Sequence, residues 1–105
     1  MIRHCVFVRY KPTVSRMERD AIYADLSALR TQLTGMGQFE AGANVNPEGL
    51  AKGFDEGFTI DFDDEAARDA YLELPDHKII GGRLGAAAER GTDGIFVFDF
   101  KLEGQ

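Results

Sequence analysis

A chain of 105 residues, 44% of them hydrophobic and 29% charged, has the length and balance of one globular domain, which excludes wholesale disorder despite twelve glycines. A net charge of -6, with 18 acidic against 12 basic residues and no Lys/Arg cluster, offers nothing to a phosphate backbone or an anionic lipid surface, so neither nucleic acid nor membrane is an expected partner. No apolar run approaches the roughly 20 residues that span a bilayer, and the first ten residues alternate like a strand without a signal-type cleavage pattern, so the expected location is cytoplasmic.

Residues 2–10 are rich in β-branched and aromatic side chains, and period two puts His4, Val6, Val8 and Tyr10 on one face with Cys5 and Phe7 on the other. Both faces carry apolar groups, so this first strand is expected to be covered on both sides. Cys5, the only cysteine, cannot close an intrachain disulfide and reads as a small buried hydrophobe. Ser15 and Glu18 have capping-box spacing, and Ile22, Leu26, Leu29 and Leu33 repeat at helical intervals before a stop at Gly35. Residues 37–45 alternate weakly, with Phe39 their large apolar side chain, and predict a second strand before the Asn46-Pro47-Glu48-Gly49 turn. Residues 54–62 alternate cleanly, with Glu56, Phe58, Ile60 and Phe62 on one face. Asp63 or Asp64 caps a helical piece through Ala66, Ala67, Ala70 and Tyr71, and Pro75 opens a second short piece through Ile79, Ile80 and Leu84, together a broken helix. Residues 94–100 form an almost continuously apolar fourth strand. The domain is expected over residues 1–101, with a polar tail at 102–105.

Strands and helices in this order predict an α+β fold: a ferredoxin-like, four-stranded antiparallel sheet with the helices on one face. The other face, with Cys5, Phe7 and the strand 4 aromatics, is then too apolar for comfortable exposure. A second copy packing sheet to sheet is the simplest cover, so the expected partner is the chain itself, as a homodimer through the sheet face.

Four segments, IRHCVFVRYKP, FEAGANVNPEGLAKGF, TIDFDDEAARDAYLELPDH and IFVFDF, carry a resemblance that runs through nearly the whole chain in order. Together they resemble the stress-responsive A/B barrel domain (Dabb) family. That resemblance implies a dimeric α+β barrel, while fold alone confers no function. The layout is also similar to the olivetolic acid cyclase branch, which condenses a polyketide in a cleft between helices and sheet. The similarity implies that Tyr71 and His77 match its tyrosine–histidine catalytic pair and that His4 matches a further pocket histidine. Glu56 stands where that branch carries a histidine on strand 3.

The residues support a site on their own terms. Strands 1 and 3 are neighbours in a ferredoxin-like sheet, so Glu56 is expected near His4, either as a structural polar pair or as a carboxylate that fixes an imidazole for ligand binding or acid–base work. His77 lies in the first turn of a helix, where the dipole disfavours its charged form. Tyr71 can reach His77 only because the helix breaks between them; the alternative is a helix-start histidine and a core tyrosine. Two histidines and scattered carboxylates lack metal-ligand spacing, and Gly81, Gly82 and Gly85 follow no strand, so neither a metal nor a cofactor is expected. The expected function is a cofactor-independent lyase, cyclase or isomerase acting on a small carbonyl or polyketide-like organic ligand, with His77 and Tyr71 catalytic and His4 and Glu56 ligand-binding. The alternative is a non-catalytic ligand-binding or structural stress protein.

Overall fold

In a computed structural model describing residues 1–103, the chain runs β1 (Ile2–Val8), α1 (Arg16–Ala28), a 3₁₀ turn (Leu29–Gln32), β2 (Met36–Ala43), β3 (Glu56–Phe62), α2 (Glu65–Glu73), α3 (Pro75–Ala87), a second 3₁₀ turn (Gly91–Gly94) and β4 (Ile95–Lys101). The last two residues of the expected tail lie outside the described range. The four strands form one antiparallel sheet in the order β2-β3-β1-β4, the ferredoxin-like arrangement. Among the described residues no helix is long and apolar enough to cross a membrane.

Local chemistry accounts for the elements. The Ser15 hydroxyl accepts a hydrogen bond from the Glu18 N–H at the start of α1 and donates one to the Glu18 carboxylate. The Asp64 carboxylate caps α2 by accepting from the Ala67 N–H at 2.8 Å. Several boundaries differ from the sequence expectation. β1 stops at Val8, and Tyr10 makes only an isolated bridge to Ala88. β2 is shifted to 36–43 and takes up the buried Met36, and β3 begins at Glu56. The regular part of α1 ends at Ala28, and Leu29 packs from the 3₁₀ turn. The piece opened by Pro75 is a full 13-residue helix, longer than α2, so the helical layer holds three helices rather than a long helix and a broken one.

The core lies between the sheet and this layer, where Val6, Val8, Phe58, Ile60 and Phe62 meet Ile22, Leu26, Tyr71, Ile80 and Leu84. The opposite sheet face is apolar and open: Phe7, Phe96, Phe98 and Phe100 are each about half exposed, at 40–50%. Phe7 packs against Gly57, where an added Cβ would stand 2.8 Å from the Phe7 ring and 2.6 Å from the Val6 carbonyl oxygen. Cys5 is buried beneath this layer, and burial raises the pKa of its thiol.

One buried charge ties α1 to β3. Glu56, 6% exposed, accepts from Arg16 at 2.9 Å, Arg19 at 2.7 Å and the Tyr23 hydroxyl at 2.6 Å. Tyr10 extends the network by donating to Tyr23 at 2.8 Å. Burial alone would raise the Glu56 pKa, but the hydrogen bonds from Arg16, Tyr23 and Arg19 outweigh it and hold the carboxyl below its ordinary value of 4.5. Removing one member of such a buried network leaves the others uncompensated. Glu56→Gln should therefore lower unfolding stability at neutral pH by about 2–3 kcal/mol in urea titrations, less than a wholly buried pair because Arg16 is largely exposed. A depressed carboxyl pKa gives stability that is present above the unfolded value and lost as pH falls through the folded one. The difference between wild type and Glu56→Gln should accordingly shrink below pH 4.5.

Candidate functional site

His4 is placed by strand parity on the helix-facing side of β1 and is 4% exposed. Its neighbour is not Glu56. The antiparallel register pairs His4 with Ile60 and sets Glu56 opposite Val8, four residues away along β1, about 13 Å at strand spacing. The carboxylate beside His4 comes from the strand on its other side: Asp99 of β4 is the register partner of His4, and its Oδ1 lies 2.8 Å from His4 Nδ1. Arg68 of α2 donates to the other Asp99 oxygen at 2.6 Å. A carboxylate only accepts, so Nδ1 carries the proton and Nε2 is left for other partners. Because Arg68 neutralises Asp99, the carboxylate orients His4 without leaving an uncompensated charge in the fold.

Tyr71 and His77 come together across the junction of α2 and α3. Leu74, extended at φ -58° and ψ 131°, ends α2, and Pro75 starts α3 at its first position. The Tyr71 and His77 rings are 4.4 Å apart, and the His4 ring is 5.9 Å from Tyr71. These three side chains and Asp99 share the wall of a cleft of about 440 Å³ between the sheet and α3, whose remaining lining includes Val6, Leu26, Phe58, Leu84 and Val97. Burial raises the Tyr71 phenol above its ordinary range, so it stays protonated and able to donate. The His77 pKa is lowered, first by burial, then by His4 and Lys78, with the Leu72 carbonyl acting in the opposite direction. His77 Nδ1 is buried and has no hydrogen-bond partner among the described residues.

Of the four site residues expected from the sequence, His4, Tyr71 and His77 therefore share one cleft, and Glu56 sits in the α1 network at the far end of β1. Sequence reasoning missed Asp99 and Arg68. The available signal was a lone carboxylate inside an apolar strand, at the parity of Val97 and Ile95.

A histidine whose folded pKa is depressed binds fewer protons than the unfolded chain between the folded value and the ordinary 6.5, so stability rises with pH across that window. His77→Gln, neutral at every pH, should flatten that slope in melting temperatures taken below pH 6.5, while leaving the slope through the Glu56 window unchanged.

Sheet order, a one-sided helical layer and a cleft at the α2–α3 junction define a ferredoxin-like α+β domain with a small-molecule-sized hollow against its sheet. The model of the Dabb family, the stress responsive A/B barrel domain, matches residues 2–102, and the chain belongs to that family. Among solved structures, a dimeric ferredoxin-like protein of unknown function from a Jannaschia species is 32% identical over 96% of this chain and 98% of its own, with a TM-score of 0.88. A hydroxynitrile lyase from Passiflora edulis is 25% identical over 99% and 94%, with a TM-score of 0.82. A second dimeric ferredoxin-like protein of unknown function, from Thermobifida fusca, is 25% identical over 96% and 90%, with a TM-score of 0.72. No curated protein matches the chain.

Proposed function

We propose that the protein is a homodimeric, cofactor-independent proton-transfer catalyst of the lyase, cyclase or isomerase type, acting on a small carbonyl or polyketide-like compound. The observation that carries this reading is the convergence of His4, Tyr71 and His77 on one otherwise apolar cleft. In the proposed step His77 takes a proton from the carbon beside the carbonyl. The C–H electron pair becomes an enolate, whose oxygen accepts a hydrogen bond from Tyr71, and the proton held on His77 returns to the product. His4, oriented by Asp99 and Arg68, contacts the same polar end of the ligand. The lowered His77 pKa supports a base that stays neutral at physiological pH, and the hydroxynitrile lyase among the similar structures supports a lyase activity on this fold.

Turnover of carbonyl compounds by the purified protein tests the reading. His77→Ala should lose about 10² to 10⁴ in rate and Tyr71→Phe less, with melting temperatures close to wild type. The acid limb of the pH–rate profile should fall below 6.5. Full turnover in His77→Ala removes the base. Ligand affinity that drops in both variants without any turnover favours the binding-only alternative.

The open sheet face supports the homodimer. Phe7, Phe96, Phe98 and Phe100 line one side of the sheet, and a hollow of about 640 Å³ beside them, walled by Leu50 and Phe54, continues the same apolar surface. A second copy over this face should bury more than about 1,200 Å² in total. The two proteins described as dimeric support the same assembly here. Sedimentation should give a dimer at micromolar concentration, and Phe98→Glu should give a folded monomer. A Phe98→Glu protein that still sediments as a dimer would place the interface elsewhere.

A further inference from the structure

The face of α3 that closes the cleft has a gap in its middle. His77, Gly81 and Leu84 follow one another at i, i+4 and i+7, the spacing that aligns three positions on one helix face, and all three line the cleft. The central position carries no side chain. A Cβ built on Gly81 would meet nothing within 4 Å, so packing does not demand glycine there, and the position lies in the interior of a regular helix with no positive φ to require it. Glycine inside a helix is destabilising relative to alanine. What the position gives up in helix stability it gains as space.

That space is next to the chemistry. Four residues of helix advance about 6 Å, and helical side chains lean toward the N-terminus, so any side chain at position 81 would lean back over the turn that carries His77. Much of the remaining apolar wall is bulky, with Leu26, Phe58 and Leu84 among its members. Gly82 is equally unopposed but exposed and off the cleft lining, so it separates the helix effect of a glycine substitution from the cleft effect.

We infer that Gly81 determines the specificity of the cleft, by seating a ring-sized or branched apolar group of the substrate beside His77. The inference rests on the reading of the cleft as a carbonyl site and adds the shape of the carbonyl compound: the polar group meets His77, Tyr71 and His4, and the apolar body begins directly next to the carbonyl and lies over Gly81.

The probes are xenon, which enters apolar cavities whatever their substrate, and two ketones, acetophenone and para-butylacetophenone. Wild type, Gly81→Ala, Gly81→Leu and Gly82→Ala are compared by melting temperature, by xenon NMR and by ketone-induced shifts of the His77 ring signals. Both alanine variants should melt higher than wild type. Only the position 81 variants should lose xenon binding, in order of side-chain size, and Gly81→Leu should weaken para-butylacetophenone by roughly tenfold or more. Gly82→Ala should bind all three probes as wild type does. Wild-type affinity for xenon and both ketones in Gly81→Ala and Gly81→Leu overturns the inference, as does a wild type that takes up no xenon. A wild type that binds xenon, loses it in Gly81→Leu and binds neither ketone overturns the carbonyl reading and leaves the gap at Gly81 as the shape of the cleft. If Gly81→Leu fails to fold, Gly81→Ala decides by the same measurements.

Discussion

The cleft depends on a backbone constraint at Leu74 and Pro75. In an uninterrupted helix, residues 71 and 77 would be about 9 Å apart along the axis and rotated by roughly 240°, so their side chains could not share a wall. Proline has no N–H for the preceding turn and excludes the helical region at the residue before it, so Leu74 becomes extended and a new helix begins at once. The break puts the Tyr71 ring 4.4 Å from His77 and makes α3 one wall of the cleft, opposite the sheet. Without the break there would be one longer helix, two unrelated side chains and no enclosed space between them.

The helix-facing side of the sheet carries two polar groups of opposite character. At one end the Glu56 carboxylate is saturated: Arg16, Arg19 and Tyr23 supply its hydrogen bonds, and because Arg16 also pairs with Asp20, two guanidinium charges meet two carboxylates. A group so satisfied gains little by meeting a ligand and would lose a buried ion pair by moving. At the other end Asp99 is paired with Arg68 and spends its second oxygen on orienting His4, while His77 Nδ1 is buried without a partner among the described residues. The first network therefore fastens α1 to β3, and the second has hydrogen-bonding capacity left for something that enters the cleft. This difference in saturation, rather than burial alone, separates the structural polar cluster from the candidate site.

Much of this was legible from the chain, because strand parity and helix breaks are local. Period two placed His4 inward and Phe7 outward without any knowledge of the neighbouring strands, and Pro75 marked the junction that joins Tyr71 to His77. Register is not local. Strand β1 has a neighbour on each side, each offering one inward carboxylate, Glu56 from β3 and Asp99 from β4, and nothing in the alternation of any one strand says how far it slides along the next. The carboxylate expected beside His4, Glu56, was thus assigned from the wrong strand, and the one that lies there is Asp99. The Glu56 partners had a signal that went unread, since Arg16, Arg19 and Tyr23 lie at i, i+3 and i+7, a polar stripe alongside the apolar one of Ile22 and Leu26. The edges of β2 were hard to place because its central and final residues are exposed or half-exposed, leaving little hydrophobic alternation to mark them.

Strand β4 connects the two faces of the molecule. Its residues alternate between Val97 and Asp99, which line the cleft, and Phe96, Phe98 and Phe100, which lie on the open face. It is also an edge strand, paired among the described residues with β1 alone, and Val97 on its helix-facing side is still 54% exposed. An edge held from one side has the fewest restraints against local opening. Asp99 orients His4 only as well as β4 is held, so the cleft inherits whatever mobility the edge has. A second copy packed over the three phenylalanines would clamp the strand from the face that does not carry the site. The apolar face and the cleft then cease to be separate features, since burial on one side of β4 steadies the carboxylate presented on the other.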